Sequence, residues 1–136
     1  MSVSKEIKQR LKDAGQRFHS NDNISEYIKD GELDQLQAEV QEKMQGVLDS
    51  LVIDTDNDHN TQDTARRVAK MYVNEVFGGR FKAPPRVTSF PNMGYKSLYT
   101  SGPISIRSTC AHHFQNIVGR AWIGIVPNGE VIGLSK

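Results

Sequence analysis

The residues best suited to chemistry stand together at 110–113: Cys110-Ala111-His112-His113. They include the single cysteine of the chain and two of its four histidines. Thiolate sulfur and imidazole nitrogen are preferred ligands of Zn²⁺, and Cys-x-x-His is a bite that one ion can close. The adjacent second imidazole is left for proton transfer near neutral pH. On these four residues alone, a core thiol flanked by surface histidines is an equal reading, because unpaired cysteines are commonly buried. A second group is cationic. Arg66, Arg67 and Lys70 crowd the early turns of a predicted helix at helix-neighbour spacings. Uncompensated positive charge there opposes the helix dipole and points to an external anion. A solvated basic face explains it equally well. The alternating aspartates of Asp54-Thr55-Asp56-Asn57-Asp58 invite a calcium-loop reading. It fails, because His59 stands where that loop needs glycine and Ala65 where it needs the closing glutamate. A solvated link that caps the next helix is expected instead.

The elements that must hold these groups follow from hydrophobic periodicity. Ile7, Leu11, Ala14 and Phe18 lie on one face of a first helix, interrupted by Gly15 and followed by a break at 20–23. This reads as a partly ordered arm, or one that docks on a partner subunit. After Gly31, the positions Leu33, Leu36, Val40, Met44, Val47 and Leu51 keep helical spacing for about five turns. A helix over 62–77 presents Ala65, Val68, Ala69, Tyr72 and Val76, and Gly78-Gly79 supplies a left-handed stop. Beyond Phe81 the texture becomes strand-like. Ala83-Pro84-Pro85 and Phe90-Pro91-Asn92-Met93-Gly94 read as loops, and a short strand over 96–101 is broken by Ser101-Gly102-Pro103. Further strands begin at Ile104, Ile117 and Val131, with a turn at Pro127-Asn128-Gly129. Helices followed by antiparallel strands make an α+β chain. The divisions expected are a helical arm at 1–30, a helical region at 31–80 and strands at 81–136, with one domain over 31–136. In the strand starting at Ile104, the residues Ile106, Ser108 and Cys110 share a face. Cys110 and His113 can meet one metal only if the chain reverses at Ala111-His112, at the mouth of a hairpin.

Composition narrows the function classes. The chain has 136 residues, 37% hydrophobic and 24% charged, which fits a globular protein with a real core. A net charge of +1 offers no global field for nucleic acid or an acidic membrane. One cysteine excludes an internal disulfide framework. No apolar run reaches the length of a membrane span, and the first residues carry no signal-peptide pattern, so a cytoplasmic location is expected. Internal repeats, low-complexity tracts and glycine-rich phosphate loops are absent from the sequence.

Two longer motifs carry a family resemblance. Ser108-Thr109-Cys110-Ala111-His112-His113-Phe114, then Gly119, Val126-Pro127 and Val131-Ile132-Gly133-Leu134-Ser135-Lys136, resemble the signature region of GTP cyclohydrolase I. Upstream, Gln62 to Tyr72 resembles the helix motif of the same family, in the same order and at about the same separation. The resemblance covers roughly residues 50–136. It implies the tunnelling fold, in which antiparallel strands backed by helices close into a barrel around a ring of subunits. Two such rings stack, which implies a homo-oligomer, a decamer, with GTP as substrate and sites between subunits. The implied reaction opens the imidazole ring of GTP, releases C8 as formate, and closes a pterin, 7,8-dihydroneopterin triphosphate. The product would feed folate, biopterin or deazapurine synthesis. By the same resemblance Cys110 and His113 hold Zn²⁺ and His112 is the general acid. Arg67, Lys70 and Lys136 contact the triphosphate, and Ser135 supplies a hydroxyl on the phosphate and ribose side. Arg66 falls at a variable place.

Three departures qualify the resemblance. Ala111 stands where the family usually has glutamate, a carboxylate that could orient an imidazole or order water. Ala65 replaces a proline that only preorganises a helix start. Family members also continue past the Gly-Leu-Ser-Lys segment. That continuation carries the second zinc cysteine, a second catalytic histidine, further phosphate arginines and the guanine-binding glutamate. No spacing brings His19 or His59 to the metal in their place. The expectation is therefore an N-terminal portion of a zinc-dependent cyclohydrolase. The alternative is a short, non-catalytic member that binds nucleotide or assembles with partner subunits.

Overall fold

The computed structural model of the chain describes residues 2–133. They run α1 (Val3–Asp13), a 3₁₀ turn (Ser25–Tyr27), α2 (Glu32–Ser50), α3 (Thr64–Met71), a π-turn (Tyr72–Val76), α4 (Gly78–Phe81), β1 (Ser89–Pro91), β2 (Tyr99–Thr109), β3 (Asn116–Ile125) and β4 (Glu130–Ile132). Helices precede antiparallel strands, the α+β order expected. The chain divides into two compact units, Met1–Ala83 and Pro84–Lys136.

The first unit is built around α1, the segment read from sequence as an arm. Val3, Ile7 and Leu11 are buried with Ile24, and Phe18, Tyr27, Ile28, Leu36 and Phe81 pack around them. Leu11 is only 1% exposed. Ile7, Leu11 and Phe18 of the predicted stripe enter this core, but Ala14 is exposed and the helix ends at Asp13, before Phe18. Gly15 at φ 63° is the reason. Its N–H donates to Lys12 C=O, and the N–H of Gln16 donates to Leu11 C=O, the paired bonds of a left-handed glycine stop. Phe18 then reaches the core from the following loop. That loop is tied to α4. Ile24 N–H donates to Arg80 C=O at 2.7 Å, the Asn23 amide donates to the carbonyls of Gly79 and Lys82, and the Arg80 guanidinium donates to His19 C=O.

One ion pair lies at the edge of this core. Arg10 donates to both carboxylate oxygens of Glu32 at 2.6 Å, and Lys29 N–H donates to the same group. Burial alone would raise the Glu32 pKa. The Arg10 hydrogen bonds, then the Lys29 N–H, outweigh it and hold the carboxyl below its ordinary value.

Helix α2 follows its predicted stripe until its last turn. Leu48 is buried, whereas Val47 and Leu51 stay open. The cause is local: beyond Ser50 the chain doubles back through Val52 at φ 60°, and Ile53 N–H donates to Leu48 C=O. Helix α3 is shorter than the expected 62–77. Ala65 and Ala69 are its buried positions, followed by Val73 in the π-turn, and Ala69 is fully enclosed. Small side chains there let α2 and α3 approach closely. After Met71 the helix widens, with Phe77 N–H donating to Tyr72 C=O five residues back. The Asn74 amide donates to Lys70 C=O and to the Gln37 side chain. Widening, rather than glycine, ends the helix. Gly78-Gly79 is not a left-handed stop but opens the right-handed turn α4, neither residue having positive φ.

The second unit is two antiparallel ribbons. β2 pairs with β3 from Tyr99↔Ile125 to Thr109↔Asn116, and β1 pairs with β4. Two sequence expectations change here. Ser101-Gly102-Pro103 does not break a strand: β2 runs through it, with the register shifting between Ser101 and Ile104. Part of the expected Phe90–Gly94 loop is strand, because Ser89, Phe90 and Pro91 find partners in Ile132, Val131 and Glu130. Gly102 is required where it stands. A Cβ there would lie 2.5 Å from Trp122 Cδ1 and 3.0 Å from the Ala121 carbonyl oxygen.

Two predictions follow from these contacts. The depressed Glu32 pKa makes its pair with Arg10 stabilising above the ordinary glutamate pKa, with the contribution lost as pH falls through the folded value. Melting followed by far-UV circular dichroism from about pH 7 to about pH 3 is expected to show a weaker acid dependence in Glu32→Gln. The variant should lose about 1.5–3 kcal/mol at neutral pH. Identical acid slopes would remove Glu32 from the account. Gly102→Ala should also shift Trp122 fluorescence and abolish amide-exchange protection over β2. Gly119→Ala, where a Cβ meets open space, should leave both unchanged.

Candidate functional site

The register of β2 and β3 places the chemistry. The last ladder pair is Thr109↔Asn116, so the chain must reverse over 110–115. Cys110 N–H donates to Gln115 C=O at 2.8 Å, and Phe114 N–H donates to Cys110 C=O at 2.9 Å. Phe114 takes φ 54° to close the reversal. The motif thus occupies the mouth of a hairpin, where the sequence required a turn. Cys110 is partly exposed, while Ala111, His112 and His113 lie open. The Cys110 Sγ stands 3.5 Å from His112 Nδ1, and the rings of His112 and His113 are 6.4 Å apart between centroids. The thiol therefore meets the imidazole assigned by resemblance to proton transfer, not the one assigned to the metal. Sulfur and imidazole are the right donors for Zn²⁺, but a protein shell needs three or four. Among the described residues no group of three or more His, Cys, Asp or Glu side chains is placed to hold a metal. Cys110, His112 and His113 are donors of the right chemistry, fewer in this arrangement than a protein shell needs.

The helix cations belong to the first unit. They are not uncompensated as the sequence suggested. Asp63, the residue before α3, accepts from Arg66 Nη2 at 2.8 Å and lies 3.6 Å from Arg67 Nη2. The Arg66 hydrogen bond, then its charge, holds the Asp63 carboxyl below its ordinary value. A carboxylate at this end of the helix also suits the dipole. Lys70 has no ion pair among the described residues. Asp63 was missed in the sequence, although its spacing of three and four residues to Arg66 and Arg67 is the signal that finds it. Ser135 and Lys136 lie outside the described residues.

Comparison with known proteins agrees with both motifs. Residues 40–136 match the sequence model of GTP cyclohydrolase I. The chain is 41% identical over 99 residues to the GTP cyclohydrolase 1 of Yersinia enterocolitica, covering 71% of this chain and 44% of that protein. It is 38% identical over 104 residues to the enzyme of that name from Aeromonas salmonicida, covering 75% and 47%. The Actinobacillus pleuropneumoniae protein of the same name is 39% identical over 105 residues, covering 76% and 48%. The chain spans about half the length of the curated relatives it matches. With two separate motifs and most of the sequence in register, this chain belongs to the GTP cyclohydrolase I family.

Proposed function

We propose that this chain is the part of a zinc-dependent GTP cyclohydrolase I that supplies Cys110, His112 and His113 together with the helix cations Arg67 and Lys70. The whole protein would convert GTP to 7,8-dihydroneopterin triphosphate and formate, the entry to pterin and folate or deazapurine synthesis. The observation that carries this reading is the hairpin mouth, which brings a thiol and two imidazoles into one exposed turn. Cys110 and His113 would hold Zn²⁺, with the remaining donors outside the described residues. Zn²⁺ held there would supply a water of lowered pKa, hydroxide near neutral pH being the chemistry such an ion offers. His112 would donate a proton to the purine nitrogen as C8 is attacked, a general-acid role open to an imidazole. Arg67 and Lys70, with Ser135 and Lys136, would bind the triphosphate. Arg67 would exchange its long contact with Asp63 for a phosphate, against which its planar fork can place two hydrogen bonds.

The tunnelling fold and a ring of subunits belong to the same proposal. What supports them is the open apolar face of the β2–β3 ribbon, including Ile104, Ile106, Ile117 and Ile123. A lone two-stranded ribbon is marginal in water. A cytoplasmic location is likewise proposed; among the described residues no helix is long and apolar enough to cross a membrane. A second reading, a nucleotide-binding member without turnover, is favoured by Ala111 in place of the usual glutamate.

Three measurements test these assignments. Cobalt(II) titration should give a thiolate-to-metal absorption band that Cys110→Ala removes; an unchanged band in the variant would sink the ligand assignment. Calorimetric titration with GTP should weaken about tenfold in Arg67→Gln/Lys70→Gln, with Arg66→Gln close to the native chain. Equal losses in both variants would mean general charge rather than a defined phosphate site. Incubation of the whole protein with GTP and zinc, then oxidation, separates the two functional readings, since only the enzyme yields fluorescent pterin.

A further inference from the structure

We propose that the polar face of the β2–β3 ribbon binds a phosphate group between Arg107 and Arg120, beside the indole of Trp122. The ladder fixes which residues share that face. Ile104 pairs with Ala121, Ile106 with Gly119 and Ser108 with Ile117, which makes one side apolar. Ser105 pairs with Arg120 and Arg107 with Val118, so both arginines stand on the opposite side as diagonal cross-strand neighbours. Diagonal neighbours lie about 7–8 Å apart, within reach of two long side chains that converge on one anion. Trp122 follows Arg120 by two residues on the same strand and so shares its face, and it is 65% exposed.

Charge selects the ligand. Neither arginine has an ion pair among the described residues. Thr109↔Asn116 and Ser105 add neutral hydrogen-bonding groups to this face, and no carboxylate. The imbalance extends through the unit. Residues 84–136 contain five cations (Arg86, Lys96, Arg107, Arg120 and Lys136) against one acid, Glu130, whereas residues 1–83 contain twelve cations and fifteen acids. The near-zero net charge of the chain hides this division, and charge segregated along a sequence points to an anionic partner. Two guanidinium groups fit a phosphate, each able to donate two parallel hydrogen bonds. The phosphate can come from an inorganic polyphosphate or from a nucleotide, whose base would find the exposed indole as a stacking surface. This site uses none of the residues assigned above to metal or triphosphate.

Trp122 is the only tryptophan in the chain and reports from the site itself. At low salt, inorganic tripolyphosphate added to the full chain should give a saturable change in its fluorescence, weakened about tenfold or more in Arg107→Gln/Arg120→Gln. Arg66→Gln, which removes a helix cation assigned to no site, should respond like the native chain. Far-UV circular dichroism checks that both variants keep the native secondary structure. ATP binding tighter than tripolyphosphate would identify a nucleotide as the source; equal or weaker binding would identify the phosphate alone. No saturable change in the native chain, or an undiminished one in Arg107→Gln/Arg120→Gln, overturns the proposal. A response lost only in Arg67→Gln/Lys70→Gln also overturns it and assigns the anion to the helix.

Discussion

The register of β2 against β3 is the constraint on which the second unit depends. Nine cross-strand pairs, from Tyr99↔Ile125 to Thr109↔Asn116, decide where the chain reverses and which residues share a face. Because side chains alternate, a slip of one residue would move every isoleucine of the apolar side to the polar one. It would also move Cys110 away from the mouth of the hairpin. The ladder is interrupted once, at Gly102, where an indole occupies the space that any side chain would need. Backbone hydrogen bonds join the two strands along one edge of each and bury little of them. Among the described residues of this unit only Pro127 is buried.

The first unit obeys different physics. Its stability comes from a small apolar cluster closed by directional bonds at its edges. The loop after α1 contributes both kinds of contact. Phe18 and Ile24 enter the cluster, and Asn23 satisfies two carbonyls at the end of α4. A helix end left without such partners would expose unpaired acceptors, so this amide matters more than its place on the surface suggests. The Arg10–Glu32 pair carries a cost of its own, since Arg10 Nε is buried without a partner among the described residues.

Much of this was readable from residues. The stripe Ile7–Leu11 and most of α2 announced themselves by spacing, and the hairpin reversal at Ala111-His112 followed from needing Cys110 and another strand nearby. What escaped the sequence was local competition. Gly102-Pro103 carries the composition of a breaker, yet pairing on either side carries the strand through it. Gly78-Gly79 resembles a helix stop, but widening at Tyr72 ends the helix first. Asp63 fell inside the helix expected over 62–77, and only its spacing of three and four residues to Arg66 and Arg67 marks it as their partner. Thiol–imidazole contact is harder still, because spacing gave Cys110 and His113 a plausible bite while the folded turn brings His112 to the sulfur.

The π-turn at Tyr72–Val76 has one more consequence. Each residue of a regular helix turns its successor by about 100°, and a wider turn alters that advance. The segment from Lys70 to Phe81 is therefore an angular setting between two fixed ends. One end bears the cations of α3, and the other is anchored by Phe81 in the apolar cluster. Removing a single residue from this stretch could leave composition, charge and hydropathy nearly untouched and still rotate one end against the other by more than a quarter-turn. Segment length here carries information that residue identity does not.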